Sequence, residues 1–462
     1  MSSTSTPTLW WVRRDFRLAD NPALVAAVAS GSAVLPLFVL DPRLLSSAGK
    51  VRTAWLMASL RVLDADLRLG GGPGLSVLTG NPQAVVPNVA KACGAESVHI
   101  SADFAPYGTR RDRLVRAALQ DASIELCATG SPYAVAPGTL TSKAGAPFQV
   151  FTPFWRAWAD HGVRLPAAAV DPGQVSWLAT EGRVELVDDD PDLTKQAGED
   201  VALESWHNWL ERDHDGVDHY APMNDFPGAD ATSHLSIALR WGHLHPRTIL
   251  AGLAQRATKG AAAHARQIAW RDFFADVLYH RPDAVTRPIK ADYAKMATDE
   301  PDSDAEVARR LRAWQYGLTG YPLVDAGMRQ LLAEGWMHNR VRMVTASFLV
   351  KDLHIGWWHG ADWFMQHLRD GDIAQNQLNW QWVAGCGTDA SPYFRVFNPT
   401  GQAAKFDADG EYIRRYLPEL AGVAAKYLHE PWTAPEGSPA GYPSPIVDHA
   451  QERRVALARY ET

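Results

Sequence analysis

The first 130 residues alternate short apolar runs with longer amphipathic segments, and this alternation limits the fold more than any other feature of the chain. Five apolar runs predict β-strands at 9–14, 34–40, 75–79, 97–101 and 124–126. The segments between them predict helices at 22–30, 51–69, 82–93 and 107–121. Asn21 and Asn81, each followed by a proline, predict two helix starts. Because parallel strands need crossover helices, the pattern predicts an α/β domain with a parallel sheet.

The rest of the chain changes character twice. Residues 131–200 are rich in Pro, Gly, Ala and acidic residues, which predicts an interdomain linker. Residues 201–462 repeat apolar positions at a spacing of three to four, which predicts an all-α domain. We therefore expect an α/β domain at 1–130, a linker at 131–200 and a helical domain at 201–462.

Composition narrows the class of protein. The chain has 462 residues with 46% hydrophobic content, which is ordinary for a globular protein of two or more domains. Only Cys93, Cys127 and Cys386 occur, and none form a CxxC pair, so a disulfide framework or a four-cysteine metal site is not expected. No apolar run approaches about 18 residues and the N-terminus lacks a signal pattern, so we expect no membrane span and a cytoplasmic location.

The segment 370–382 carries the most chemical information. Read as a helix, it places Asp372, Asn376 and Trp380 four residues apart on one face. A carboxylate, a carboxamide and an indole facing one cavity suit a redox-active flavin. The alternative is an N-capped amphipathic helix whose tryptophan packs in the core.

Two further helical segments place polar groups where an apolar stripe is expected. Gln267, Trp270 and Arg271 follow the spacing i, i+3, i+4, which suits a site with one stacking surface and two hydrogen-bonding groups. Asn339 and Met343 share a second face with Arg342 adjacent, and the nearby Arg340 points elsewhere, where it could reach a phosphate.

The loop 231–236 precedes a helix and is rich in hydroxyl groups. Such a loop at a helix N-terminus can bind a pyrophosphate. Simple N-capping by Ser233 explains the same residues equally well.

These segments together resemble the photolyase/cryptochrome family, and most closely its microbial cyclobutane-dimer photolyases. The resemblance rests on motifs spread over nearly the whole chain, at 11–18, 151–155, 319–329, 335–340, 370–372 with Asn376, and 387–395. It implies a Rossmann-like α/β domain that binds an antenna chromophore and an all-α domain that binds FAD. It also implies light-driven repair of cyclobutane pyrimidine dimers in DNA by a deoxyribodipyrimidine photo-lyase, which uses an electron from excited reduced FAD.

The resemblance also assigns residues to the cofactor. Contacts to the FAD phosphates and neighbouring groups would come from Tyr220, Thr232, Ser233, Leu235 and Ser236. Residues around the isoalloxazine and ribose would be Arg271, Asn339, Arg342, Asp370 and Asp372, with Asn376 facing flavin N5.

UV-damaged DNA is the implied partner, bound by a monomer without a protein partner. Trp270 and Trp382 would stack on a dimer flipped out of the helix, with Gln267, Asn339 and Met343 beside it. Arg340 and Arg395 would contact DNA phosphates.

Two positions depart from the family pattern. Gln267 stands where dimer photolyases usually carry glutamate, as it does in (6-4) photolyases and cryptochromes. In the electron-transfer chain, Trp380 and Trp357 match the proximal and middle tryptophans, but the distal one is missing near Asp304. Trp358, Trp363 or a tyrosine are the candidates to replace it.

These departures keep two alternatives open: a cryptochrome-like photoreceptor without repair activity, and a (6-4) photolyase. The amide of Asn376 is typical of photolyases and opposes the first. The histidine pair of (6-4) repair is absent from 338–343, which opposes the second.

The antenna region 103–112 resembles the branch that binds 8-hydroxy-5-deazaflavin, and the glutamate expected of folate binders near Ala105 is not there. Arg52 and Asp103 are the candidate antenna contacts.

Overall fold

The computed structural model describes residues 6–388 and 395–461, and their contacts form two compact units. The first unit contains the described parts of Met1–Phe148, Thr152–Arg212 and Ser233–Pro282, and the second those of Gln149–Phe151, Asp213–Thr232 and Asp283–Thr462. This grouping follows contacts, whereas the domain limits expected at 130 and 200 follow composition. Those limits stay a prediction.

A five-stranded parallel sheet forms the centre of the first unit, as predicted, with the strand order β3-β2-β1-β4-β5. Its strands are β1 (Thr8–Val12), β2 (Val34–Leu40), β3 (Ser76–Thr79), β4 (Ser97–Ile100) and β5 (Glu125–Ala128). Side chains of β1 alternate between two apolar clusters: Trp10 and Val12 belong to one, and Leu9 and Trp11 to the other. This alternation follows from the two-residue period of a strand whose two faces are both covered.

The helices up to residue 280 agree with the sequence pattern to within one or two residues where helices were predicted. They are α1 (Pro22–Ser30), α2 (Pro42–Ser47), α3 (Lys50–Leu69), α4 (Pro82–Cys93), α5 (Pro106–Gln120), α6 (Phe151–His161), α7 (Pro191–Thr194), α8 (Glu199–Glu211), α9 (Tyr220–Met223), α10 (Ser236–Trp241), α11 (Pro246–Leu253) and α12 (Lys259–His280). The predicted caps are present, because the side chains of Asn21 and Asn81 accept hydrogen bonds from the amides of Leu24 and Gln83. Helix α9 belongs to the second unit.

The second unit is helical beyond residue 300, as predicted. Its later helices are α13 (Ala305–Gln315), α14 (Pro322–Glu334), α15 (Asn339–Lys351), α16 (Trp357–His367), α17 (Ile373–Ala384), α18 (Pro399–Phe406), α19 (Glu411–Tyr416) and α20 (His449–Glu461). Among the described residues, no helix has the length and apolar character that crossing a membrane requires.

A buried carboxylate secures the start of α14. Asp325 is fully buried and accepts hydrogen bonds from the Thr319 amide (2.8 Å), the Thr319 hydroxyl (2.7 Å), the Gly320 amide (2.9 Å) and the Tyr442 hydroxyl (2.7 Å). Burial raises the pKa of Asp325 to about 6, and the donors from Thr319, Tyr442 and Gly320 oppose that rise. Because Tyr442 lies 117 residues away in the chain, this carboxylate joins the C-terminal segment to the motif 319–329.

We expect Asp325→Ala to lower the free energy of unfolding by about 3 kcal/mol or more, because it leaves four buried donors without an acceptor. Urea unfolding followed by circular dichroism measures this loss. The matched control is Asp302→Ala on the exposed surface, which should change stability by less than about 0.5 kcal/mol. Equal stability of the two variants would contradict the role given to Asp325.

Candidate functional site

A pocket of about 560 Å³, counting the part open to solvent, lies within the second unit. Helices α15, α16 and α17 and the segment before α17 supply its walls. Its lining residues are Asn339, Arg342, Met343, Ala346, Phe364, Leu368, Asp370, Gly371, Asp372, Gln375, Asn376, Asn379, Trp380 and Val383. The pocket therefore brings together seven residues singled out from the sequence: Asn339, Arg342, Met343, Asp370, Asp372, Asn376 and Trp380.

The predicted helix face on α17 is present. Asp372, Asn376 and Trp380 all line the pocket, as their spacing of four predicts. Asp372 is also the N-cap of α17, accepting from the amides of Ala374 (3.0 Å) and Gln375 (3.2 Å), and Trp380 is only 3% exposed. The capping alternative is thus also correct, since the same helix has a capped start and presents polar groups to a cavity.

Arg342 and Asp370 form a charged pair at the pocket wall. The Arg342 Nη2 donates to Asp370 Oδ2 at 2.8 Å, and the Arg342 Nε donates to the Met337 carbonyl at 2.8 Å. The other carboxylate oxygen, Oδ1 of Asp370, is buried and has no hydrogen-bond partner within the described part of the chain. A buried acceptor without a donor is unfavourable, so this oxygen fits an N–H or O–H group of a bound molecule.

The orientation of the Asn376 carboxamide is fixed by its neighbours. Its Nδ2 donates to the Ala361 carbonyl at 3.0 Å and to Gln377 Oε1 at 2.7 Å. Both acceptors require the NH2 group, so the Asn376 oxygen is left to accept a hydrogen bond from a ligand. The acceptors of the pocket that stay free among the described residues, Asp370 Oδ1 and the Asn376 oxygen, therefore fit a flavin, whose ring and ribitol carry N–H and O–H donors.

Aromatic rings extend from Trp380 into the core of the second unit. The Trp380 ring lies 5.0 Å from Phe364 and 6.1 Å from Trp314, both in edge-to-face geometry. Trp314 is fully buried, and its Nε1 donates to the Thr345 carbonyl. Sequence reasoning missed both Trp314 and Phe364 as neighbours of Trp380, because no local spacing joins them to α17.

The candidates for the missing distal tryptophan differ in exposure. Trp357 is buried, and its ring lies 6.2 Å from that of Trp358, which is 38% exposed. The half-buried Trp363 instead contacts Tyr316 at 5.7 Å. Asp304, near the expected distal position, caps α13 by accepting from the amides of Glu306 and Val307.

The predicted DNA-contacting residues of the second unit lie in different surroundings. Asn339 and Met343 line the pocket, with the Asn339 Nδ2 4.0 Å from the Met343 sulfur. Trp382 is half-buried and packs against the core. Arg340 pairs with Asp225 at 2.6 Å, and Arg395 is exposed. Residues 389–394 of the predicted motif 387–395 lie outside the described residues.

In the first unit, α12 carries the predicted group Gln267, Trp270 and Arg271. Gln267 is exposed, and the half-buried Trp270 lies against Phe274 at 5.3 Å. Arg271 donates to the carbonyls of Pro132 (2.7 Å) and Leu239 (3.1 Å), which fixes its guanidinium.

The hydroxyl loop 231–236 does not cap α10 through Ser233. The N-cap residue is Leu235, whose side chain makes no capping bond, and Ser236 begins the helix. The Ser233 hydroxyl instead lies 3.2 Å from His264 Nε2. Thr232 is half-buried, and the Tyr220 carbonyl accepts from the Asn224 side chain.

The predicted antenna contacts lie in the first unit. Arg52 is half-buried on α3, and Asp103 lies 3.2 Å from Arg111. Burial favours the neutral form of Asp103, but Arg111 and the neighbouring guanidinium groups outweigh it and lower the pKa of this carboxyl. Gly108 lies against the same carboxylate, where an added Cβ would be 2.1 Å from Asp103.

Comparison with known proteins gives matches over the whole chain. Residues 8–172 match the family model described as DNA photolyase, and residues 264–462 match the FAD binding domain of DNA photolyase. A deoxyribodipyrimidine photo-lyase from Streptomyces griseus is 41% identical over 97% of this chain and 96% of its own length.

Solved structures agree with these matches. A bacterial class III photolyase from Agrobacterium tumefaciens has a TM-score of 0.89 at 36% identity, covering 100% of this chain and 98% of its own. A cryptochrome from Synechocystis has a TM-score of 0.87 at 28% identity, covering 100% of both chains. With relatives this similar along its full length, the chain belongs to the photolyase/cryptochrome family.

Proposed function

We propose that this protein is a deoxyribodipyrimidine photo-lyase, which uses light to split cyclobutane pyrimidine dimers in DNA. The observation that carries the proposal is the pocket of the second unit. It lies within the segment that matches an FAD binding domain, and its donors and acceptors suit a flavin. The full-length relatives named as photo-lyases support the same reaction.

Four residues of the pocket would hold FAD. The Asp370 Oδ1 would accept a hydrogen bond from the cofactor, while Arg342 holds the other carboxylate oxygen. Asn376 would offer its carboxamide oxygen to flavin N5, and Asp372, already fixed as a helix cap, would face the same cavity. Reduced FAD, when bound, supplies on light absorption the single electron that opens the cyclobutane ring.

We assign Trp380 and Trp357 to the supply of electrons for reduction of the cofactor. Trp380 combines a position at the pocket wall with close aromatic neighbours. The contact between Trp357 and the partly exposed Trp358 supports an exit to solvent through Trp358 in place of the missing distal tryptophan.

We assign the remaining predicted residues as the family resemblance does. In the first unit, Ser233, Leu235, Ser236 and Arg271 would serve the cofactor, and Gln267 and Trp270 the flipped dimer. In the second unit, Tyr220, Thr232 and Asn339 would serve the cofactor, and Asn339 would also face the dimer with Met343 and Trp382. Arg340 and Arg395 would contact phosphates, which supply most of the affinity of such an interface. The protein would act as a monomer in the cytoplasm.

We further propose that the first unit binds an antenna chromophore, 8-hydroxy-5-deazaflavin rather than folate, near Arg52 and Asp103. The arginine-rich surroundings of Asp103 support a polar or anionic ligand there, since Arg111 lies 3.2 Å from its carboxylate and the charges of Arg14 and Arg13 also lower the pKa of this carboxyl.

The direct test is repair of an oligonucleotide with a single thymine dimer by purified, chemically reduced protein under near-UV and blue light. Light-dependent restoration of the thymines, with none in the dark, is the expected result. Lack of restoration by protein that retains FAD would contradict the proposal, and a (6-4) oligonucleotide would then separate the two alternative functions.

We expect Asp370→Asn to weaken FAD retention by about tenfold or more, because it removes the charge that pairs with Arg342 and a buried acceptor. The ratio of flavin to protein absorbance after dialysis measures the loss, and mass spectrometry of the released chromophores also identifies the antenna. Asp362→Asn, on an exposed position of the neighbouring α16, is the matched control. Equal retention by both variants would remove Asp370 from the cofactor site.

We expect Trp380→Phe to slow photoreduction of oxidised FAD by about tenfold or more, since phenylalanine is a far poorer electron donor. Repair by chemically reduced enzyme should stay within about twofold of the unmodified protein. Absorbance changes under blue light measure the rate of photoreduction, and the thymine-dimer oligonucleotide assay measures repair. Trp432→Phe, which changes a half-buried tryptophan outside the pocket lining, should alter neither. Unchanged photoreduction by Trp380→Phe would refute the electron-transfer role.

A further inference from the structure

Arg340, at the start of α15, is held by an ion pair of defined geometry. Its Nε donates to Asp225 Oδ1 at 3.3 Å and its Nη2 donates to Asp225 Oδ2 at 2.6 Å. The guanidinium also lies 4.5 Å from the centre of the Phe406 ring. Two oxygens and one aromatic face therefore fix both the position and the plane of the guanidinium.

The groups that hold Arg340 are themselves well anchored. Asp225 follows α9 in a turn closed by the Asn224 side chain, which donates to the carbonyls of Tyr220 (2.8 Å) and Ala221 (3.0 Å). The next ring in the chain, Phe226, packs edge-to-face on Phe406 at 5.9 Å. Phe406 is only 7% exposed. The turn and the ring thus form one rigid support beneath the arginine.

This arrangement leaves part of the arginine available. The pair with Asp225 uses the side of the guanidinium that carries Nε and one hydrogen of Nη2. The Nη1 group and the second Nη2 hydrogen make no hydrogen bond in the described part of the chain. These donors form an end-on pair, which matches two oxygens of a phosphate. Lys405, whose Nζ lies 4.9 Å from the Phe406 ring, adds a second positive charge.

We infer that Asp225 is a positioning residue for DNA: together with Phe406 it holds Arg340 so that the end-on donors meet a backbone phosphate. This inference rests on the proposed function. A free arginine side chain loses rotamer freedom when it binds, whereas one held in place has already lost it.

Whether removal of the Asp225 charge weakens or strengthens DNA binding distinguishes a positioning role from a purely electrostatic one. Asp225 is an anion beside Arg340, a cation assigned to DNA, so on charge alone its removal would strengthen binding to the polyanion. If Asp225 positions Arg340, its removal weakens binding instead, because the DNA must then order a mobile Arg340 side chain at a cost in entropy.

The test measures the dissociation constant of FAD-containing protein for a duplex with a single thymine dimer, in the dark, by fluorescence anisotropy. We expect Asp225→Asn to weaken binding about 3- to 10-fold, and Asp225→Glu to recover part of that loss. The salt dependence of binding should stay unchanged in Asp225→Asn but fall by about one phosphate contact in Arg340→Ala. In an Arg340→Ala background, Asp225→Asn should have no further effect.

The matched control is Glu306→Gln, which also removes a carboxylate paired with arginines, at an exposed site on α13. It should leave the dissociation constant unchanged. Unchanged or tighter binding by Asp225→Asn, or additive effects of the two substitutions, would overturn the inference. Failure of the proposed function would appear differently, as absent repair by the unmodified protein in light.

Discussion

A buried carboxylate needs hydrogen-bond donors, and the second unit depends on how this requirement is met. Asp325 obtains its donors from the segment before α14 and from Tyr442, so it joins distant parts of the chain. Asp372 obtains them from the first turn of its own helix. Asp370 is satisfied on one oxygen only. The carboxylates of Asp325 and Asp372 hold their helices in place. Asp370 keeps one buried oxygen without a hydrogen-bond donor among the described residues, and a ligand can supply that donor.

Sequence periodicity was sufficient to predict the helices and strands and the wall of the pocket that α17 forms. The strands and the face of Asp372, Asn376 and Trp380 were predictable because periods of 2 and 3.6 residues are local properties of the backbone. The Arg342–Asp370 pair spans 28 residues, and the Arg340–Asp225 pair spans 115. No local pattern encodes such pairs: helical spacing and the family resemblance singled out the two arginines, and only the structure supplied Asp225 as a partner.

The aromatic groups show a similar division. Helical spacing singled out Trp380 and the family pattern singled out Trp357, yet the contacts of Trp380 with Trp314 and Phe364 emerge only from helix packing. Asp304, found near the place of the missing distal tryptophan, has a structural role as the cap of α13.

The amide network behind Asn376 begins at a backbone atom. The Val285 carbonyl accepts from Gln377 Nε2 at 3.0 Å, which turns Gln377 Oε1 toward Asn376 and so directs the Asn376 oxygen outward. Since every residue type has a main-chain carbonyl, substitution at 285 leaves this starting point in place. The position of the Val285 carbonyl thus determines that the Asn376 oxygen, and not its NH2 group, faces the pocket as an acceptor. An aspartate at 376 would place a carboxylate oxygen against two acceptors, the Ala361 carbonyl and Gln377 Oε1, with no hydrogen to share. The network therefore favours an amide at that position.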